Sequence, residues 1–381
     1  MSIKFKQKDL ILKSGDKTEN YFYIITEGKV LSYNNFYEQY KLYSKKGAII
    51  GLISAVIREP YFETIEAVED TEVIKINIDS IVNINNKTLI NKIYKHLYLV
   101  LETWLSKYYT ILAKNKVDLY NKDSILIIAN IYLNNGFQDA AYKIYRDYIQ
   151  LFPENKDIEE AKKLLKDIKP IEEPQLIDKN VYKFKKGYCL YSELNTSDLI
   201  YMVKSGKVAI YSIVNSKQTM RIIYSSNYFI KGYRPILEYA PLLTTAIVLE
   251  DSVMEIMNKE ELLAKLDMDK NLRINLIKII STKINNAVLK IKAINAKDIK
   301  SKLIIIIYSI IKIEQLFNES TSMTLPYNID NIINILNLEI DLNEIHTELK
   351  TIKYIKYDKN SNTIDVTNTI KYIKEYGNYI K

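Results

Sequence analysis

Two halves of the 381-residue chain repeat the same series of short apolar phrases, and this repeat limits the fold more than any other feature. The phrase NYFYIITEGKV, which ends at Val30, matches SDLIYMVKSGKV, which ends at Val208. Further along, TIEAVEDTEVIKI matches TAIVLEDSVMEI. The first two phrases indicate a strand, a Gly-Lys turn and a second strand, and turn residues recur about every ten positions. The repeat therefore predicts an α+β chain with two small β-barrels or β-rolls, over residues 1–85 and 180–258.

The order of these phrases resembles the cyclic-nucleotide-binding domain family. In that family an apolar opening with a Gly-Asp turn precedes Y-x-I-x-x-G-x-V, a phosphate-binding cassette and A-x-x-D-[ST]-x-V. Here the turn is Gly15-Asp16, and the two flanking phrases run from Tyr23 to Val30 and from Ala67 to Val73. The resemblance is more distinct in the first half of the chain than in the second.

The resemblance also implies roles for the cassette, which in the family reads roughly F-G-E-[LI]-A-L and then P-R-x-A-x-V-x-A. A glycine begins a short helix whose N–H groups face the cyclic phosphate, a glutamate binds the ribose 2′-hydroxyl, and an arginine pairs with the phosphate. This chain keeps both glycines, Gly51 and Gly232. The glutamate and arginine positions hold uncharged residues: Leu52 and Tyr61 in the first cassette, Tyr233 and Leu242 in the second.

Both cassettes have therefore lost their charged contacts, and the loss of one charge-assisted pair costs about 1.5–3 kcal/mol. We expect neither half to bind cyclic AMP in the usual way. Arg58 and Arg234 either substitute for the missing arginine or are ordinary surface residues, and the second interpretation is favoured. The apolar replacements either line a pocket for a different ligand or fill an empty one. The candidate ligand-binding residues are Gly51, Leu52, Ile53, Arg58, Tyr61, Gly232, Tyr233, Arg234 and Leu242.

The segment between the rolls, residues 86–169, is predicted to be helical. Within it, residues 122–155 have the spacing of one tetratricopeptide-like repeat, carried by Ala129, Tyr132, Ala141, Tyr145, Tyr148 and Pro153. A single repeat makes no extended groove, because stacked neighbours are needed. Either the helical pair packs on the first roll, which is favoured, or residues 122–169 dock a protein partner. Residues 170–179 contain two prolines and an acidic run, and they are predicted to be a linker.

A long helix is predicted within residues 259–298. Over residues 271–297 its apolar positions alternate spacings of three and four, as in a heptad seam, and include Ile277, Ile280, Ile284, Ala287 and Ile291. In catabolite-activator/Fnr-type regulators, a long helix after the roll forms the dimer interface, so the resemblance implies a homodimer. The alternative is an intramolecular stripe that packs on a β-roll.

Residues 299–381 resemble the winged helix that comes next in those regulators, with a recognition helix from Asp341 to Ile352. DNA binding would then use Asn343, Thr347, Lys350, Lys353 and Lys359. Negative charge on this helix argues against ordinary DNA recognition, since it also carries acidic residues such as Glu344 and Glu348. The alternative is a protein-interaction scaffold that keeps these folds without binding nucleotide or DNA.

The remaining signals exclude other classes of protein. Two histidines and one cysteine, in different predicted domains, provide neither a metal-ligand spacing nor a Cys–His nucleophile, and no glycine-rich phosphate loop is present. We therefore expect no enzyme activity, cofactor or metal. No apolar run reaches the length of a membrane span, and the N-terminus lacks the apolar core of a signal peptide, so we expect a cytoplasmic protein.

Overall fold

The computed structural model describes residues 2–84, 86–113, 122–194, 199–214, 217–231, 244–317 and 319–381. Contacts divide the chain into two compact units. The first unit combines Met1–Tyr108 with Leu266–Lys381, and the second consists of Tyr109–Lys265. The first unit is therefore built from two segments that are distant in sequence.

The first unit contains a roll of two four-stranded antiparallel sheets, in the orders β1-β8-β3-β6 and β2-β7-β4-β5. Its elements in chain order are β1 (Ser2–Phe5), β2 (Leu10–Leu12), β3 (Tyr21–Glu27), β4 (Lys29–Tyr33), β5 (Lys41–Lys45), β6 (Ile49–Ile50), α1 (Leu52–Ile57), β7 (Thr64–Ala67) and β8 (Thr71–Asn77). In β4, Val30 and Ser32 are buried while their neighbours are more exposed. This alternation is typical of a strand with one face on a core.

The second unit contains the second roll, whose described strands form sheets in the orders β15-β12-β17-β10-β9 and β11-β16-β13-β14. The strands are β9 (Gln175–Asp178), β10 (Val181–Phe184), β11 (Cys189–Tyr191), β12 (Ile200–Ser205), β13 (Val208–Val214), β14 (Lys217–Tyr224), β15 (Phe229–Lys231), β16 (Thr245–Val248) and β17 (Ser252–Met257). Two antiparallel rolls within a mixed helical and strand chain confirm the predicted α+β fold class.

Matching glycines show that the repeat in the sequence is a repeat in structure. Gly28 has φ +87° and Gly206 has φ +94°. Gly28 lies in the turn from β3 to β4 and Gly206 in the turn from β12 to β13, and each turn carries the chain from one sheet of its roll to the other. A Cβ atom on Gly28 would lie 2.6 Å from the carbonyl oxygen of Asp70, and one on Gly206 would overlap Ser252. Each of these two positions therefore requires glycine for two reasons: the positive φ angle and the close approach of neighbouring backbone or side-chain atoms.

Four helices follow the first roll: α2 (Lys87–Ala113), α3 (Lys122–Asn134), α4 (Gln138–Leu151) and α5 (Ile158–Asp167). In the second unit, α3 packs on α4, α3 contacts β14, and α4 contacts β11. The helical pair thus packs on the second roll, whereas the sequence had suggested the first. Asp139 on α4 joins this helix to the second roll, because its buried carboxylate accepts the N–H of Cys189 on β11 at 2.7 Å, as well as the N–H of Ile171 at 3.0 Å.

The C-terminal part is mostly helical. Its elements are α6 (Lys259–Met268), α7 (Lys270–Asn295), α8 (Ile299–Glu314), β18 (Met323–Thr324), α9 (Ile329–Leu336), α10 (Leu342–Thr351), β19 (Ile355–Asp358), β20 (Thr363–Val366) and α11 (Thr369–Tyr376). The three strands form a small sheet in the order β18-β20-β19. The helix α8, the helix pair α9–α10 and the hairpin β19–β20 follow one another in the predicted order. Their assignment as a winged helix stays a prediction.

The predicted heptad seam lies inside the first unit. Ile277, Ile280, Ile284, Ala287 and Ile291 are all buried. Helix α7 packs against α8 and against α1 of the first roll, so the chain's own helices cover these side chains. The seam as a dimer interface is corrected to an intramolecular stripe, and the homodimer itself stays a prediction. None of the described helices combines the length and apolarity that crossing a bilayer requires.

Candidate functional site

The first cassette folds around Gly51, which has φ +75° and precedes α1. No side chain caps this helix start, so its first N–H groups depend on other partners. Leu52 and Ile53 occupy its first turn and are both buried. The glycine and the short helix therefore stand where the family resemblance predicted them.

The space beside Gly51 is filled by the roll's own side chains. Tyr61 belongs to a buried apolar cluster with Leu12, Tyr23 and Ile50. A Cβ atom on Gly51 would lie 3.0 Å from Cδ1 of Leu12 and 3.4 Å from Cε1 of Tyr61. The side chain at the arginine position thus packs against the cassette glycine.

The backbone also holds Tyr61 in this place. Its N–H donates to the carbonyl oxygen of Asp16 at 3.1 Å, and its carbonyl oxygen accepts the N–H of Gly15 at 2.8 Å. Burial raises the pKa of the Tyr61 hydroxyl, so the ring is neutral at physiological pH. Tyr61 therefore supplies no cation for a phosphate.

Arg58 directly follows α1 and is not part of the apolar cluster around Tyr61. It has φ +56°, an unusual value for a residue other than glycine, and it is exposed. Its side chain lines a cleft that we term the cassette cleft, bordered by α1, by Lys278 on α7 and by residues 319–321. The structure therefore separates Arg58 from Gly51 and Tyr61, which the sequence had grouped in one pocket.

Glu59, beside Arg58, is a buried carboxylate that the sequence analysis missed. The Tyr308 hydroxyl donates to Glu59 Oε2 at 2.9 Å, and Lys312 Nζ lies 2.6 Å from Glu59 Oε1. Both partners lie on α8, so the cassette of the first roll is joined to the C-terminal helices of the same unit. No local pattern reveals such a site, because its partners are about 250 positions away and isolated glutamates are common.

The second cassette lies outside the described residues. Gly232, Tyr233, Arg234 and Leu242 all fall within residues 232–243. In the chain, the described strand β15 ends before this cassette and β16 begins after it.

Glu193 and Arg221 lie in the interior of the second unit. The Tyr132 hydroxyl donates to Glu193 Oε1 at 3.0 Å, and burial raises the pKa of Glu193 to about 8. The positive charge of Arg221 opposes this rise in pKa. Arg221 is only 2% exposed, and its guanidinium carbon lies 5.8 Å from the ring centre of Tyr109.

This interior is more polar than the apolar cluster of the first roll. Ser212 on β13 and Thr245 on β16 have buried hydroxyls, and neither hydroxyl has a hydrogen-bond partner in the described structure. The sequence signal that could have found the site is an arginine in an apolar strand, since the chain has only five arginines.

Cys189 is the single cysteine, and its surroundings are those of a core residue. It is fully buried in β11, and burial raises the pKa of its thiol to about 12. A thiol with a raised pKa is a poor nucleophile and a poor metal ligand at neutral pH. Within the described ranges, no group of three or more histidine, cysteine or acidic side chains is placed to hold a metal ion.

The five residues predicted to face DNA lie in three different settings. Asn343, Thr347 and Lys350 are exposed on α10, and the Thr347 hydroxyl donates to the backbone oxygen of Asn343 at 2.8 Å. Lys353 is paired with Glu375 at 2.7 Å, and Lys359 lies exposed at the tip of the β19–β20 hairpin. Three of the predicted residues therefore share α10, the charge of Lys353 is paired with a carboxylate, and Lys359 lies on the hairpin rather than on the helix.

Comparison with known families gives one match. The family model described as the cyclic nucleotide-binding domain matches the chain twice, over residues 2–87 and 181–269. Each match covers one of the two rolls. No curated protein matches the chain.

Solved structures with a similar fold include two bacterial proteins. A variant of CooA from Carboxydothermus hydrogenoformans has 15% sequence identity and a TM-score of 0.38, over 52% of this chain and 87% of that chain. FixK2 from Bradyrhizobium japonicum has 13% identity and a TM-score of 0.38, over 52% of this chain and 97% of that chain. The assignment of the two domains rests on the family matches rather than on these distant likenesses.

Proposed function

We propose that this chain, which contains two cyclic nucleotide-binding domains, is a non-enzymatic regulator of the Crp/Fnr type whose first roll does not bind cyclic AMP conventionally. The observation that supports the second part is the packing of Tyr61 and Leu12 against Gly51. A cyclic nucleotide would have to displace a buried aromatic side chain, which costs about 1.5–3 kcal/mol. It would also find no arginine at the usual position to pair with its phosphate.

The order of the elements supports a regulator rather than an isolated sensor. A roll is followed by the long helix α7, a helix pair α9–α10 and the hairpin β19–β20. In a winged helix the second helix of the pair enters the major groove and the hairpin contacts the backbone. Exposed Asn343, Thr347 and Lys350 on α10 have side chains suited to base edges and phosphates.

A salt titration of DNA binding tests this proposal. Fluorescence anisotropy with a labelled mixed-sequence duplex, from low to moderate salt, should show affinity that falls linearly on a log–log plot. A variant with Lys350→Gln and Lys359→Gln should bind more weakly, with the slope reduced by about one for each lysine that contacts a phosphate.

The matched control is Lys45→Gln, which removes an exposed lysine from β5 of the first roll. It should bind like the unaltered protein. Absence of salt-dependent binding by the unaltered protein, or an equal loss in the control, would contradict the DNA-binding part of the proposal.

A second candidate is a protein-interaction scaffold, and the charge of α10 favours it. Glu344 is exposed beside the predicted DNA contacts, and Asp341 caps the same helix through the N–H of Asn343 at 3.0 Å. Leu342, on the same helix, is an exposed apolar side chain. If DNA binding is absent, cross-linking should instead recover a protein bound at this surface, and replacing Leu342 with Ser should release it.

A further inference from the structure

The cassette cleft lies wholly in the first unit and outside the roll interior. It has a volume of about 690 Å³, and the C-terminal half of α1 forms one wall. The opposite walls come from α7, from the end of α8 and from residues 319–321. None of the side chains that fill the interior around Tyr61 lines it.

Two cations in the cassette cleft are available to a ligand. Arg58 and Lys278 both line it and are exposed, and neither makes an ion pair or hydrogen bond through its side chain within the described structure. A third cation, Lys312, is held at the cleft wall by buried Glu59. An arginine and a lysine that face one cavity attract an anion, and the planar guanidinium fits the oxygens of a phosphate.

The acidic residues of the cleft oppose this attraction only in part. Asp79 accepts a hydrogen bond from the side-chain amide of Asn20 at 2.7 Å, so it already has a partner outside the two cations. Glu319 is exposed, so solvent screens its charge. The positive charge of Arg58 and Lys278 is therefore not cancelled by a carboxylate that contacts either side chain.

The remaining lining suits the body of a small organic molecule. The lining combines apolar Ile57, Ile274 and Leu316 with polar Thr282 and Gln315. Sites for small molecules typically have volumes of about 300–1,000 Å³ and combine apolar walls with a few polar groups. The cleft is within this range and is too small for a duplex or a folded partner.

We infer that the cassette cleft binds an organic phosphate of nucleotide size, with its phosphate held by Arg58 and Lys278. The bound molecule would contact α1, α7 and the segment that leads to the C-terminal helices. It would therefore act outside the roll interior, where Tyr61 occupies the space. This inference does not depend on whether the chain binds DNA.

Isothermal titration of the full chain tests the inference, with AMP, ATP, cyclic AMP, cyclic di-AMP and inorganic phosphate as separate probes. At least one organic phosphate should bind saturably and more tightly than inorganic phosphate. Arg58→Asn removes the guanidinium while keeping a residue that tolerates positive φ. This variant and Lys278→Gln should each weaken binding at least tenfold.

The matched control is Lys270→Gln, which removes an exposed lysine from the start of the same helix. It should leave the affinity unchanged, and circular dichroism should show all three variants folded. No heat with any probe at millimolar concentration would overturn the inference. Binding that survives both cleft substitutions would overturn it too, and would direct attention to the second roll.

Discussion

At the scale of single residues, Gly51 and Tyr61 decide whether the first roll has room for a ligand. Both were predicted as candidate ligand residues, with a filled pocket as one of two interpretations. The structure packs the Tyr61 ring on the glycine. A position known only from a motif can therefore hold either a binding residue or a filler, and the neighbours of the residue decide which.

Gly51→Ala should destabilise the first unit. The residue has φ +75°, where an L side chain is strained, and its new methyl group would press on Leu12 and Tyr61. We expect the free energy of unfolding to fall by about 1–3 kcal/mol. Urea unfolding followed by the fluorescence of Trp104, the only tryptophan, measures this. Gly377→Ala is the control, since nothing lies within 4 Å of its new methyl group; an equal loss in both variants would refute the explanation.

Glu193 should make the stability of the second unit depend on pH. Its pKa is raised by burial from about 4.5 to about 8, so between these values the folded chain holds a proton that the unfolded chain has released. This contribution to stability is complete below the unfolded pKa and is lost as pH rises through about 8. Stability should therefore decrease from pH 5 to pH 8.

The substitution Glu193→Gln tests this directly, because an amide resembles the neutral acid. The variant should lose this part of the pH dependence and should be more stable than the unaltered chain at pH 8, by roughly 4 kcal/mol if the amide fully mimics the neutral acid. Thermal unfolding followed by circular dichroism at several pH values measures both effects. Glu154→Gln, at an exposed position, is the control. A variant that is less stable at every pH would show that the carboxylate is ionised and paired.

At the scale of elements, helix α7 shows that one spacing is compatible with two interfaces. Heptad positions are apolar whether they face a second chain or the chain's own helices. Here α1 and α8 cover them. The helical pair α3–α4 shows the same ambiguity, since its small buried residues predict close packing without naming the surface on which the pair rests.

Ile284→Ala should therefore destabilise the fold without changing the oligomeric state. Ile284 is fully buried in the first unit, and removing its outer carbons leaves a cavity that costs about 2–5 kcal/mol. Unfolding followed by Trp104 fluorescence measures stability, and sedimentation velocity measures mass. Lys270→Ala on the same helix should change neither. A change of mass with little loss of stability would instead support a dimer seam.

At the scale of the whole molecule, the first unit needs both ends of the chain. Residues 1–108 supply the roll, and residues 266–381 supply α7, which packs on α1, and α8, which packs on α7. Glu59 is buried, and its two side-chain partners, Tyr308 and Lys312, reach it from the distant segment. A buried carboxylate without its partners costs about 3–5 kcal/mol, a large share of a domain's stability.

A fragment of residues 1–108 should therefore not fold stably by itself. Co-expression with a fragment of residues 266–381 should restore a cooperative transition and the emission of buried Trp104. The same fragment paired with residues 109–265 serves as the control and should not be rescued. Cooperative folding of residues 1–108 alone would show that the roll is autonomous.

The sequence by itself determined the α+β class and the presence of two rolls, because alternation and turn chemistry are local. Gly28 and Gly206 illustrate this, since each glycine marks a turn between two strands through its own backbone angle. The domain family could also be recognised from short phrases, and the two family matches confirm it.

Only the tertiary structure decided what each face packs against. It paired Glu59 with Lys312, enclosed the α7 seam within one unit, placed α3–α4 on the second roll and turned Arg58 toward an external cleft. These outcomes depend on contacts between residues far apart in the chain, and periodicity shows only that a face is apolar. The partner of such a face is set by which arrangement buries the most surface while satisfying the buried polar groups.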